Sequence, residues 1–215
     1  MFGFDLWSIL IGIPVTLIAL SVHEAAHGFV SSKLGDPTPR HEGRLTLNPV
    51  AHLDLMGTIL MVLTGFGWAK PVNINPMYYK DRVKGMALVA LAGPLSNFLL
   101  AVLGVFLQVL FIVIQTKTGF NLGVLTTIMY YFVIRNLAFM VFNLIPFPPL
   151  DGFKVAGVII PRQTYYKILQ YEQYIMYLLM FLCLTGTFSS TIGRGVQGVY
   201  ALLVNGIVNI FELFI

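Results

Sequence analysis

Three ionisable residues fall within five positions at His23-Glu24-Ala25-Ala26-His27, inside an otherwise apolar run. On a helix each residue turns by about 100°, so His23 and His27 stand about 40° apart on one face, one turn from each other. Imidazoles so placed can both reach one metal ion at about 2.0–2.1 Å per bond. Glu24 lies on the flank of that face, where its carboxylate reaches a metal-bound water without ligating the metal. This is the H-E-x-x-H arrangement of zinc hydrolases. It makes His23 and His27 the candidate ligands and Glu24 the candidate acid/base. The competing reading is a polar turn at a helix end, with both histidines satisfied by backbone. Three ionisable groups on an apolar helix are costly in lipid, however, and such groups mark functional sites.

Two histidines need a third protein ligand, with a fourth position left open for water. Asp151, Asp54, His52 and Glu212 are the candidates. Asp151 is favoured because it closes the run Asn143-Leu-Ile-Pro-Phe-Pro-Pro-Leu-Asp151-Gly152, which follows a long apolar stretch. Pro146, Pro148 and Pro149 forbid continuous helix there, so the backbone is unwound and must be buried in protein or wetted. The bland alternative for Asp151 is an N-cap of the next helix. His52 and Asp54 stand at the mouth of a short apolar stretch, where either could orient a metal ligand from outside the coordination sphere.

Positioning these residues falls to elements that face lipid. The 215-residue chain is 57% hydrophobic and 10% charged, against roughly 25% charged in a soluble domain. That excludes a soluble globular protein, a disordered tail and a nucleic-acid binder. One cysteine excludes an internal disulfide framework and a multi-thiolate zinc site. The first apolar stretch, 6–30, lacks a basic n-region and a small-residue cleavage site, so it reads as a retained transmembrane helix. Further stretches cover 55–66, 86–114, 122–145, 171–184 and 196–215. The second, a dozen residues, is too short to span about 30 Å of hydrocarbon.

The basic residues decide how that short stretch behaves. Lys33, Arg40 and Arg44 lie in 33–44, Lys70, Lys80, Arg82 and Lys84 in 67–84, and Lys154, Arg162 and Lys167 in 150–167. If 55–66 spanned, the first two clusters would sit on opposite sides, against the positive-inside rule. A re-entrant dip puts all three clusters, and with them His27 and Asp151, on the cytoplasmic side. Gly43-Arg-Leu-Thr-Leu-Asn-Pro49 and Trp68-Ala-Lys-Pro-Val-Asn-Ile-Asn-Pro76 are β-prone and end in Asn-Pro. Extended backbone at membrane depth requires surrounding protein or a wet cavity. Either segment, 43–49 or 68–76, offers an edge that could bind another extended chain by β-addition, and the alternation of Val72 and Ile74 with asparagines beside Trp68 favours 68–76 as such a clamp.

His23-Glu24-Ala-Ala-His27 on one apolar stretch and Asn143-Leu-Ile-Pro-Phe-Pro-Pro-Leu-Asp151-Gly152 after a later one resemble the motifs of the site-2 protease family of intramembrane zinc metalloproteases. Gly93-Pro-Leu-Ser-Asn97 resembles the G-x-x-x-N of that family's middle core helix, and the likeness covers roughly residues 6–160. The resemblance implies an all-α polytopic membrane protein. Its first, third and fourth stretches would form a three-helix catalytic core, with a membrane-associated β-rich re-entrant loop after the first helix and additional C-terminal helices. It implies one intramembrane protease domain over 1–215 (core 6–160, C-terminal helices 161–215), of the compact type without PDZ or CBS domains. Zn2+ would be held by His23, His27 and Asp151, with Glu24 as acid/base. Asn143 would hold substrate or developing oxyanion. Asn97 is placed at the substrate, with interhelical hydrogen bonding as the stronger alternative reading. Expected partners are a transmembrane-helix protein substrate and the lipid bilayer of the cell membrane. Two rivals stand beside it: a prenyl-protein type of membrane protease using Glu212 as third ligand, and a non-catalytic zinc-binding membrane chaperone or transporter. An intact Glu24 argues against the latter, because metal binding alone does not need it.

Overall fold

The computed structural model describes residues 6–64 and 68–212. Among these, nine α-helices follow in order: α1 Leu6–Lys33, α2 Thr38–His41, α3 Leu55–Thr64, α4 Arg82–Thr118, α5 Gly123–Asn143, α6 Asp151–Ala156, α7 Arg162–Leu169, α8 Glu172–Leu184 and α9 Thr187–Glu212. Three are long and apolar enough to cross a membrane: α1 from Leu10, α4 and α5. The expected three-helix core is therefore present. At 1.5 Å per residue the 37 residues of α4 reach about 55 Å. Asp81 caps its start by accepting from the N–H groups of Val83 and Lys84, and Gly119 ends it in the left-handed conformation at φ +75°. α5 stops at Asn143, where the proline run forbids another turn.

The buried centre is Ala101, Val105 and Val109 of α4, Val133 and Leu137 of α5, and Val196 of α9. α9 begins at Thr187 rather than at the expected Val196. Ile192 and Val196 pack on the α4–α5 core, and that contact outweighs the helix cost of Gly193 and Gly195, about 1 kcal/mol each. Residues 65–66 of the second stretch and 213–215 of the sixth lie outside the described residues.

The loop after α1 differs from expectation. The described part of 43–76 contains no strand, only one isolated antiparallel bridge between Leu53 and Ala69, so the β-rich character is corrected to extended, irregular chain. The cause is where the backbone donors go. Pro49, Pro71 and Pro76 have none. Asn48 and Asn75 cap short 3-10 turns at Pro49–His52 and Pro76–Tyr78. Val72 N–H goes to Glu24 and Asn75 N–H to Asp36. Little is left to build a ladder. α3, at 10 residues, reaches about 15 Å, half the hydrocarbon thickness.

Asp36 joins the end of α1 to this loop. Its carboxylate accepts from Ser31 Oγ at 2.7 Å, Thr38 N–H at 2.9 Å and Asn75 N–H at 2.7 Å. Glu42 holds Asn73 in the same way at 3.0–3.1 Å. The first two basic segments are thus fastened together at one end of the helices, and Asp151, beside His23, brings the third to them.

Burial pushes the Asp36 carboxyl up, but the hydrogen bonds from Asn75, Thr38 and Ser31 outweigh it and hold the group below the ordinary carboxylate range. A depressed folded value means that this stability is fully present above the unfolded value of about 3.9 and is lost as pH falls through the folded one. The protection of residues 70–76 against hydrogen exchange in detergent, taken relative to the intrinsic rate at each pH, should therefore hold at pH 5 and fall below about pH 4. Asp36→Asn should remove that acid dependence and cost about 1–3 kcal/mol.

Candidate metal centre

The site is assembled from three helices. α1 carries His23 and His27 one turn apart, with ring centroids 4.6 Å apart and the rings edge to face. α6 opens with Asp151, presented by the unwound segment 144–150. Its Oδ2 lies 3.1 Å from Nε2 of His23 and 3.1 Å from Nε2 of His27. All three residues are buried, at 5%, 8% and 5% exposed. The N-cap of α6 is Leu150, and the Asp151 side chain points to the histidines, so the capping alternative does not hold. Lys154, one turn on, approaches the other carboxylate oxygen at 3.2 Å.

α4 supplies the third wall through an absence. A Cβ on Gly93 would stand 2.6 Å from Nε2 of His23 and 2.6 Å from Cε1 of His27, so only glycine lets α4 approach the two rings. Gly152 does the same for the turn before α6, where a Cβ would overlap the Leu144 carbonyl.

The donor chemistry fits a metal. His27 Nδ1 lies 2.7 Å from the Val89 carbonyl. A carbonyl can only accept, so Nδ1 carries a proton and Nε2, facing Asp151, is the nitrogen left to bind a metal. His23 Nδ1 lies 2.6 Å from Asn97 Oδ1 and turns its Nε2 the same way. Each Nε2 lies 3.1 Å from the carboxylate oxygen, so a proton or a metal ion must stand between them, and two imidazoles with a carboxylate are a donor set suited to zinc. Tetrahedral coordination at 2.0–2.1 Å asks for donor separations of about 3.3–3.4 Å, so the atoms need move outward only slightly. Glu24 offers an oxygen within 4.8 Å of donor atoms of both histidines. Its Oε2 accepts Val72 N–H at 3.0 Å.

The remaining candidates are placed elsewhere or otherwise engaged. Val72 is buried and packs on α1, with Cγ1 3.4 Å from a Cβ built on Gly28, so its N–H serves Glu24 rather than a free edge. Trp68 is half-exposed and lies over Gly57 of α3. Asn97 is fully buried between helices, donating to the Ala19 carbonyl and to Asn136 as well as meeting His23; this is the interhelical reading, not contact with substrate. Asn143 donates to the Phe139 carbonyl at 3.1 Å at the end of α5. His52 is fully buried with Nε2 on the Thr46 carbonyl at 2.8 Å, and it holds the loop's own turn. Asp54 caps α3 through Gly57 N–H. Glu212 lines an apolar cavity with Val109 and Val113 of α4, at least sixteen residues and so about 24 Å or more along that helix from Gly93. It is no third ligand. Sequence reasoning missed the Val89 carbonyl and the Val72 N–H, because backbone groups leave no mark in residue types.

Substituting Asp151→Ala should weaken zinc retention by 100-fold or more and abolish activity, read by metal content after chelator dialysis. Gly93→Ala should lose zinc similarly while all three ligands remain. Full zinc occupancy in Gly93→Ala would mean that α4 does not shape the site.

The family model for peptidase family M50 matches residues 110–186, which include Asn143 to Gly152. A protein of Bacillus subtilis (strain 168) named "Putative zinc metalloprotease YwhC" is 39% identical over 176 residues, covering 80% of each chain. Proteins named Rip2, with the same zinc metalloprotease description, are 31% identical over 148 residues in Mycolicibacterium smegmatis and 26% identical over 178 residues in Mycobacterium tuberculosis (strain H37Rv). The first alignment covers 64% of this chain and 52% of the relative, the second 80% and 65%. No solved structure matches the chain significantly. The donor set of two histidines and a carboxylate, the glutamate beside it and the likeness over four-fifths of YwhC agree: the chain belongs to peptidase family M50, the zinc metalloproteases of the site-2 protease type.

Proposed function

We propose that this zinc metalloprotease hydrolyses peptide bonds within or near the transmembrane segments of membrane-protein substrates, as one protease domain with its site toward the cytoplasm. One observation carries the reading. His23, His27 and Asp151 converge, buried, where two helices long enough to cross the bilayer meet a short one. The cytoplasmic orientation follows from the three basic segments at that end, and α3 then dips in and returns.

His23, His27 and Asp151 would hold the zinc, which supplies Lewis acidity toward the scissile carbonyl and its attacking water. Glu24 takes the proton of that water and passes it to the leaving amine. Val72 N–H fixes one Glu24 oxygen, leaving the other to move the proton. A helical substrate hides its peptide bonds in intrahelical hydrogen bonds and must unwind first. A groove of about 340 Å³ between Val22, Ala25, Ala26 and Phe29 of α1 and the irregular Leu45–Leu47 chain is apolar enough to receive it. Leu45 and Leu47 have no main-chain partner among the described residues, which leaves their backbone groups open to an unwound substrate. The clamp therefore belongs to 45–47 rather than to Trp68 and Val72.

Glu24→Gln should keep its zinc and lose about 10²–10⁴-fold in cleavage of a panel of single-span substrates mapped by mass spectrometry. Undiminished cleavage in this variant would sink the mechanism. Leu47→Pro, which removes one edge N–H, should slow cleavage of helical substrates more than of those with helix breakers at the cut site. Val72→Pro should lower kcat for both kinds alike, since it releases Glu24. If Leu47→Pro treats all substrates equally, this edge is not the clamp.

A further inference from the structure

The bond between His23 and Asn97 ends a chain of hydrogen bonds that starts at two main-chain carbonyls. Asn136, fully buried on α5, donates Nδ2–H to the Phe132 carbonyl at 2.8 Å. A carbonyl only accepts, so the amide nitrogen must face Phe132 and Oδ1 must face α4. That oxygen accepts from Asn97 Nδ2 at 3.0 Å. The other Nδ2 hydrogen of Asn97 goes to the Ala19 carbonyl, also at 3.0 Å. With both hydrogens engaged, Asn97 turns Oδ1 to His23 Nδ1, 2.6 Å away. The proton of His23 is thereby placed on Nδ1 and the lone pair on Nε2.

We infer that Asn136 is a positioning residue of the metal centre, setting the tautomer of His23 through Asn97. The inference rests on His23 being a zinc ligand. Consider the opposite orientation of the Asn97 amide. Its oxygen would face the Ala19 carbonyl and Asn136 Oδ1, two acceptor–acceptor contacts in a dry interior. Its nitrogen would then donate to His23 Nδ1 and drive the ring proton onto Nε2, where it blocks metal binding. Without Asn136, the Ala19 carbonyl alone opposes that flip. His27 stands outside the chain, because Val89 fixes its tautomer independently, and it serves as an internal control.

Valine and threonine at position 136 separate this role from packing. They are close in shape, but a threonine hydroxyl can donate to the i−4 carbonyl of Phe132 and accept from Asn97, and valine can do neither. The readouts are the ring 15N shifts of His23 in the metal-free protein and the zinc affinity measured against a chelator. The wild type and Asn136→Thr should keep the His23 proton on Nδ1. Asn136→Val should show a mixture of tautomers at His23, an unchanged His27, and zinc affinity about tenfold weaker, the lower end for partners outside the coordination sphere. Asn136→Ala gives the same comparison should valine not fold. A His23 that stays wholly Nδ1-protonated in Asn136→Val or Asn136→Ala, with wild-type zinc affinity, overturns the inference. So do equal losses in the valine and threonine variants, which would mark a packing role. A wild-type protein that binds no zinc overturns the ligand assignment and this role with it, while the metal-free shifts still read the hydrogen-bond chain by itself.

Discussion

Two buried imidazole nitrogens each stand 3.1 Å from one buried carboxylate oxygen, and the fold around them is organised to hold them there. The histidines need a continuous helix, because only one turn of α1 places both on a face. The aspartate needs the opposite, a chain that stops being helical so that residue 151 can turn inward at the head of a new short helix. Prolines between α5 and α6 supply the break. The third side needs a helix that comes closer than side chains permit, and Gly93 of α4 allows it. A metal ion bound between these groups would add to the seating of Asp151 beside α1.

The outer contacts obey one rule. Every ring nitrogen not facing Asp151 meets an oxygen: Val89 for His27 and Asn97 for His23. Those oxygens are themselves fixed by helix backbone, either directly or through an amide whose hydrogens face carbonyls. Interhelical hydrogen bonds between Asn97 and Asn136 also fasten α4 to α5 where a purely apolar contact would have no preferred register.

Much of this was legible in the residues. His23, Glu24 and His27 announce themselves by spacing, and Asp151 by the proline run before it. The shortness of 55–66 was legible too, since α3 covers ten residues, and the bonds from Asp36 and Glu42 tie 73–75 to the chain just after α1. Two things were not legible. The segments 43–49 and 68–76 carry β-propensity, yet propensity describes side chains on a pleated surface, and here the backbone donors are drawn off by carboxylates on and just after α1. The start of α9 was hidden by Gly193 and Gly195, whose local cost is outweighed only by packing of Ile192 and Val196 that no local pattern reveals.

The loop after α1 is tied to the chemistry at a single residue. Gly28 follows His27 directly, and a Cβ there would lie 3.1 Å from Leu45, 3.3 Å from Pro39 and 3.4 Å from Val72. Leu45 lines the groove beside α1, and Val72 donates to Glu24. The chain that faces the groove and the chain that bonds Glu24 therefore rest on the same bare patch of helix, one position from His27. A Cβ at 28 would press the Leu45 and Pro39 side chains by a few tenths of an ångström and only touch Val72, a milder constraint than the overlap at Gly93. The bare helix at Gly28 lets the loop lie close on α1, and that closeness is what brings the Val72 N–H to Glu24.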